Sequence, residues 1–297
     1  MLRTLHHRDY PVQRLVAQRE ATISVCLPAR NEAATIGAIV DALMPLVDAG
    51  AIDQVVVLDD STDGTGEIAA ARGAEVHDQS ALRPECGPVH GKGDAMWRGL
   101  EVAHGDVVVY LDADSGEFGP HFALGLAGAV ACSPHAHFAK AFYRRPWQGD
   151  GVVLPEGGGR VTELCARPAL RTFYPELAEV LQPLAGEIAA RRDLLDRLPF
   201  TCGYGVDIAL LIDAYGIVGL EGMAQVDLEV RQNAHQPLSA LGPMAHAVLG
   251  ALCSRLVREG RVPADAMPGY APVLERPPLR RARRTDRFAH DAGVRQD

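Results

Sequence analysis

Two aspartates separated by one alanine, Asp112 and Asp114, close the apolar run Val107-Val108-Val109-Tyr110-Leu111. In extended backbone, alternate side chains leave the same face, so both carboxylates reach one side of the chain. Oxygen ligands of this kind suit Mg2+ or Mn2+, which takes one or two carboxylates from protein when a diphosphate supplies other oxygens. The same pair also serves as a turn or cap after a strand, so its meaning depends on its company. That company begins at Pro28-Ala29-Arg30-Asn31-Glu32, where an apolar run gives way to a helical pattern. Backbone amides there can receive a base or phosphate, or Asn31 simply caps the helix. Asp59-Asp60-Ser61-Thr62-Asp63 offers acids and hydroxyls to a ribose or uracil, or to a turn. Lys92 stands just ahead of a helix whose Ala95, Met96, Gly99, Leu100 and Ala103 can face a core, placing its ammonium at a phosphate or in solvent.

The elements that must position these groups alternate. Between residues 22 and 111, short apolar runs (TISVCLP, QVVVLDD, AEVH, DVVVYLD) are interleaved with helical patterns at 33–47, from 65, and at 92–103. That order predicts a parallel sheet covered by helices, with ligands beyond the carboxyl ends of the strands. A dinucleotide oxidoreductase would carry G-x-G-x-x-G after the first strand, whereas PARNEAAT has no glycine there. Downstream the pattern predicts a strand at 138–142, a glycine-rich loop at 156–160, and a helix from 161. A helix at 206–215, a strand at 223–228 and a long helix at 238–258 follow.

With 297 residues and 47% hydrophobic composition the chain can bury one large core or two joined ones. A net charge of −9 argues against nucleic acid and anionic membrane as general partners. Six cysteines without a C-x-x-C pair read as reduced thiols, and the first twenty residues are too charged for a signal-peptide core, so a cytoplasmic protein is expected. The apolar window 122–132 is too short to span a bilayer. The tail after Pro263, with ERPPLRRARRTDR, lacks apolar periodicity and reads as a solvated, partly disordered arm.

PARNE, the acid-ending second strand, GKG and D-x-D, in that order, resemble the nucleotide-sugar half of glycosyltransferases of the A fold. FYRRP, GGGRVTELCARPAL, LQPLAGEIAARRDLLDRLPF, CGYGVDIALLIDAYGIVGL and AQVDLEVR are similar to the glucosyl-3-phosphoglycerate synthases, over roughly residues 23–249. The resemblance implies a Rossmann-like, mainly parallel nucleotide-sugar half (21–120) joined to an acceptor-binding half (121–262), flanked by arms at 1–20 and 263–297. It implies transfer of glucose from UDP-glucose to the C2 hydroxyl of 3-phosphoglycerate, with retention, helped by Mg2+ or Mn2+, in a homodimer. Pro28, Ala29, Glu32 and Ser61 then hold the nucleotide, Asp112 and Ala113 lie toward the ribose, Lys92 meets the diphosphate, and Asp114 binds metal. Leu184 presents backbone near the reacting centre. Asp207 stands where relatives carry a glutamate thought to hold the donor sugar. Gly159, Arg160 and Thr162, with Gly157 and Gly158, meet the acceptor's carboxylate and phosphate. Relatives carry a metal-binding histidine and then an asparagine in the segment that here reads VRQNAHQPL. Asn233 falls at the histidine's place, and His235, the expected metal ligand, falls where the asparagine would be; Asn233 is then expected at the acceptor. Two alternatives are a mannosyl-3-phosphoglycerate synthase using GDP-mannose and a catalytically impaired sugar-nucleotide binder.

Overall fold

The structure, a computed structural model, describes residues 1–149, 152–154, 157–232, 237–267, 269 and 271–280. The strands are β1 (Arg3–His6), β2 (Ile23–Ala29), β3 (Gln54–Asp59), β4 (Glu75–Asp78), β5 (Val107–Tyr110) and β6 (Phe138–Arg144). They continue as β7 (Trp147–Gly149), β8 (Val152–Leu154), β9 (Ile188–Arg191), β10 (Phe200–Thr201), β11 (Met223–Val230) and β12 (Glu275–Arg276). Eight of these form one sheet in the order β1-β11-β6-β9-β5-β2-β3-β4. Every pairing in it is parallel except those of β9, which runs antiparallel between β5 and β6. The expected alternation of strand and helix therefore built the expected parallel sheet. β9 is the strand that joins its two halves.

Nine helices cover the sheet among the described residues: α1 (Val12–Gln18), α2 (Ile36–Asp48), α3 (Thr65–Ala70), α4 (Lys92–Gly99), α5 (His121–Ala131), α6 (Arg167–Phe173), α7 (Arg192–Leu195), α8 (Val206–Val218) and α9 (Leu238–Arg258). The period of two along β2, β3 and β5 splits their side chains between two cores. Cys26, Val56, Leu58, Val108 and Tyr110 pack with Trp97 of α4 and Leu210 of α8. Ile23, Val25, Val57, Val107 and Val109 pack with Ile39 of α2 and Leu126 of α5. Strands buried on both faces need the continuous Val-rich runs that the sequence shows.

Parts of both expected arms join the fold. Residues 3–6 pair with β11 in parallel, Arg3 opposite Ala224 and His6 opposite Asp227, and so cover an edge that would otherwise be bare. Glu275 and Arg276 pair with Thr201 and Phe200, and Leu279 is buried. A two-residue strand and one apolar anchor leave no periodicity to read. Helix α9 is long and apolar enough to cross a membrane by length and composition alone. It nevertheless buries Val248, Leu252 and Leu256 on the protein, and its buried Arg255 pairs with Asp213 of α8 at 2.7 Å.

Candidate active site

The carboxyl ends of β2, β3 and β5 open into a cavity of about 610 Å3. Pro28, Ala29 and Glu32 line it from β2, Asp60 from β3, and Asp112, Ala113 and Asp114 from β5. The first of these loops is locked by its neighbour. Asn31 adopts a left-handed φ of 60°, a conformation asparagine tolerates better than most residues. Its amide N donates to Ser61 Oγ at 2.8 Å, and its side-chain oxygen accepts from Thr62 N at 3.0 Å. Asp63 accepts from Ala33 N at 3.1 Å. Ser61, expected at the nucleotide, is thus directed at the neighbouring loop and is not among the residues lining the cavity. A serine beside two aspartates can satisfy a turn as easily as a ligand.

A chain of ion pairs lines the cavity floor and continues beneath it. Lys92 Nζ donates to Asp112 at 2.6 Å and lies 3.5 Å from Asp207. Asp112 also accepts from Arg231 at 3.0 Å, and Asp114 accepts from the same guanidinium at 2.7 Å. Arg231 further pairs with Glu187 and contacts Tyr143 OH at 3.0 Å, while Tyr143 OH donates to Glu187 at 2.8 Å. Lys140, on the central strand β6, donates to the carbonyls of Ala185 at 2.8 Å and Asp207 at 3.4 Å. Gly186 makes this packing possible: a Cβ there would overlap the Asp112 carboxylate and Lys92 Nζ.

Burial opposes every charge in this chain, and pairing decides which survive. Burial alone would lower Lys92, yet Asp112 and Asp207 hold its ammonium well above the ordinary value. Burial would raise Asp112, yet Lys92 and Arg231 hold its carboxyl well below the usual range. Lys140 has no comparable partner, and burial brings it down to about 8. For Asp207 and Glu187 burial prevails, and both carboxyls sit above their ordinary range. Burial, with Asp114 adding to it, pushes Glu32 up to about 6. Asp114 differs in exposure: its side chain is 51% accessible, against 2% for Arg231 and 1% for Glu187. It is the carboxylate of the network open to a ligand in the cavity.

The facing wall comes from the second half of the chain. Gly158, Gly159, Arg160 and Thr162 line the cavity together with Arg145. Gly159 has φ 71°, and a Cβ on Gly158 would lie 2.6 Å from that of Arg145, so glycine is required at both positions. Leu184, Tyr204 and Asp207 also line the cavity, along with Leu241 and Met244 of α9. Every expected site residue within the described residues, except Ser61 and Gly157, therefore meets in one place. Asn233 and His235 lie outside the described residues.

A hard divalent cation fits the donor set. Asp114 offers accessible carboxylate oxygen to the cavity, and Asp112 stands beside it on the same wall. Sequence reasoning passed over Arg231, Glu187, Tyr143, Lys140 and Arg145. Lys140 carried a signal, since a lysine inside FAKAF is a charge in an otherwise apolar strand. Among the described residues His6, His7 and Glu229 also gather ligand atoms within 4.8 Å. Arg8 already pairs with Glu229, and His6 Nδ1 accepts from Arg8 N, so these groups fasten β1 to β11.

Over residues 24–130 the chain matches the family described as Glycosyl transferase family 2. It is 45% identical over 240 residues to glucosyl-3-phosphoglycerate synthase of Mycolicibacterium smegmatis, covering 80% of this chain and 79% of that one. The chain belongs to the glucosyl-3-phosphoglycerate synthase family. It is a glycosyltransferase of the A fold. A more distant glucosyl-3-phosphoglycerate synthase, from Petrotoga mobilis, is 41% identical over 88% of this chain and 82% of its own length. Among solved structures, glucosyl-3-phosphoglycerate synthase from Mycobacterium tuberculosis, in complex with Mn2+, UDP-glucose and phosphoglyceric acid, superposes with a TM-score of 0.82. It is 42% identical and covers 95% of this chain and 99% of that chain. Mannosyl-3-phosphoglycerate synthase from Rubrobacter xylanophilus superposes with a TM-score of 0.86 at 42% identity, covering 94% and 97%.

Proposed function

We propose that this chain transfers glucose from UDP-glucose to the C2 hydroxyl of 3-phosphoglycerate, with retention and with Mg2+ or Mn2+. The observation that carries the reading is one cavity in which Pro28, Ala29, Arg30, Glu32 and Asp112-Ala113-Asp114 face Gly158, Gly159, Arg160 and Thr162. One wall suits a nucleoside diphosphate; the other suits an acceptor bearing both a carboxylate and a phosphate. Asp114 would hold the cation, which when bound supplies Lewis-acid stabilisation of the diphosphate. Lys92, charged and fixed between Asp112 and Asp207, is the protein cation beside the leaving group. Arg145, Arg160 and Thr162 receive the acceptor and orient its hydroxyl. The C1 bond to the diphosphate oxygen breaks as a bond to the acceptor oxygen forms on the same face, and the hydroxyl proton passes to the departing phosphate. Asp207, which lines the cavity 3.5 Å from Lys92, would hold the donor sugar.

A second reading, transfer of mannose from GDP-mannose, draws on the TM-score of 0.86 to the mannosyl enzyme. Purified protein offered 3-phosphoglycerate with UDP-glucose, GDP-glucose or GDP-mannose separates the two. Release of UDP together with a glucosylated product is expected, and turnover with GDP-mannose alone would overturn the main reading. The same reading has the enzyme acting in the cytoplasm as a homodimer; a monomer by light scattering would contradict the latter.

A further inference from the structure

We infer that the C-terminal segment 274–279 is a working part of the donor site, with Arg276 as a positioning residue for Lys92. Lys92 begins α4, and two residues later Asp94 is fully buried. One oxygen of Asp94 accepts from Arg98 at 3.0 Å and from Arg276 at 2.8 Å. The other accepts from Arg276 at 2.6 Å and from the backbone N of His90 at 2.9 Å. Arg276 also donates to the carbonyls of Cys86 at 2.9 Å and Pro88 at 3.2 Å, and Arg98 donates to Gly87 O at 2.7 Å. Two guanidiniums and one buried carboxylate thus close the loop that delivers Lys92 to the cavity. A bidentate pair of this kind fixes direction as well as distance.

The same segment reaches the opposite side of the lysine. Trp97 of α4 donates to Pro277 O at 2.7 Å. Glu275 accepts from Thr201 Oγ1 at 2.9 Å and pairs with Arg255 of α9 at 2.7 Å. Thr201 ends β10, from which the chain runs through residues 203–205 to Asp207. α4 and this strand meet with no slack: a Cβ on Gly93 would overlap Thr201 O, and one on Gly91 would lie 3.3 Å from the Gly203 Cα. Lys92 and Asp207 therefore face each other across a seam that residues 274–279 bind from both sides. Without Arg276, Asp94 keeps Arg98 and His90, but the seam loses its tie to the segment.

The role rests on the proposed donor chemistry, and the test is read on UDP affinity as well as turnover, so that a wrong donor sugar leaves it standing. Full-length wild type, Arg276→Ala, Lys92→Ala and the double variant are compared by calorimetry with UDP in the presence of Mn2+, and by kinetics normalised to folded protein. Arg276→Ala is expected to weaken UDP binding about tenfold and to raise KM for the donor while KM for 3-phosphoglycerate stays put. In the Lys92→Ala background its effect on UDP affinity is expected to fall below about twofold, because residues acting through one group are not additive. Arg276→Lys, which keeps a cation against Asp94, is expected to recover part of the loss, and it carries the cycle should the alanine variant not fold. Wild-type UDP affinity in Arg276→Ala, or an effect that adds in full to that of Lys92→Ala, would overturn the inference.

Discussion

Arg231 binds more of the site together than any residue that sequence reasoning singled out. Its guanidinium joins Asp112, Asp114 and Glu187 while almost wholly buried. Removing one partner of a buried pair strands the other, so Arg231→Met is expected to lose about 3–5 kcal/mol of stability. Urea denaturation checks this, and adding Glu187→Leu should restore a large part of the loss. Glu32 supports a prediction in pH. Its carboxyl, raised to about 6 by burial first and Asp114 second, keeps its proton to higher pH than in the unfolded chain. Its ionisation therefore lowers stability as pH rises through that range, a cost absent below the unfolded value. Urea denaturation of the ligand-free protein between pH 4.5 and about 6 should show the wild type losing stability that Glu32→Gln keeps.

At the scale of elements, close approach is what makes one site from separate strands. Gly186 stands just before β9 and lets the turn after Leu184 lie against Asp112 and Lys92. Gly186→Ala must push that pair apart, at about 1–3 kcal/mol for overpacking. A fall of at least about tenfold in kcat/KM is expected while the variant remains folded by circular dichroism, since about 1.4 kcal/mol of barrier is a factor of ten. The parallel strands β2, β3 and β5 were legible because helices alternate with runs apolar enough for burial on both faces. The contribution of β9 was not. It enters antiparallel between β5 and β6 as IAAR, a run too short and too small to signal a strand. Glu187, which flanks β9, stayed hidden with it.

For the whole molecule, the paired interior charges predict a fold that does not depend on the metal, and a site that does. Removal of metal with a chelator should abolish turnover and leave the melting curve of the ligand-free protein in place. Mn2+ with UDP at about a hundred times the dissociation constant should add about 2.7 kcal/mol of stability, read as a shift in melting temperature. Asp114→Ala should lose the part of that shift that requires Mn2+. An unchanged shift in Asp114→Ala would remove Asp114 from the metal site.

The sequence by itself determined which strand ends carry polar groups, because local periodicity and turn chemistry report burial and direction over a few residues. It also determined that residues 28–32, Asp112, Ala113, Asp114 and the glycine-rich loop belong together, through motifs whose order is a property of the chain. Only the tertiary structure decided the electrostatics. Lys92 meets Asp112 across twenty positions of sequence, Arg231 meets Asp114 across 117, and Arg276 meets Asp94 across 182. Contacts of that separation arise from strand order and helix docking, and no local pattern encodes them. The same physics turned Ser61 toward a loop and set Glu275 and Arg276 against β10 and α4: a side chain's partners follow from which elements pack against it.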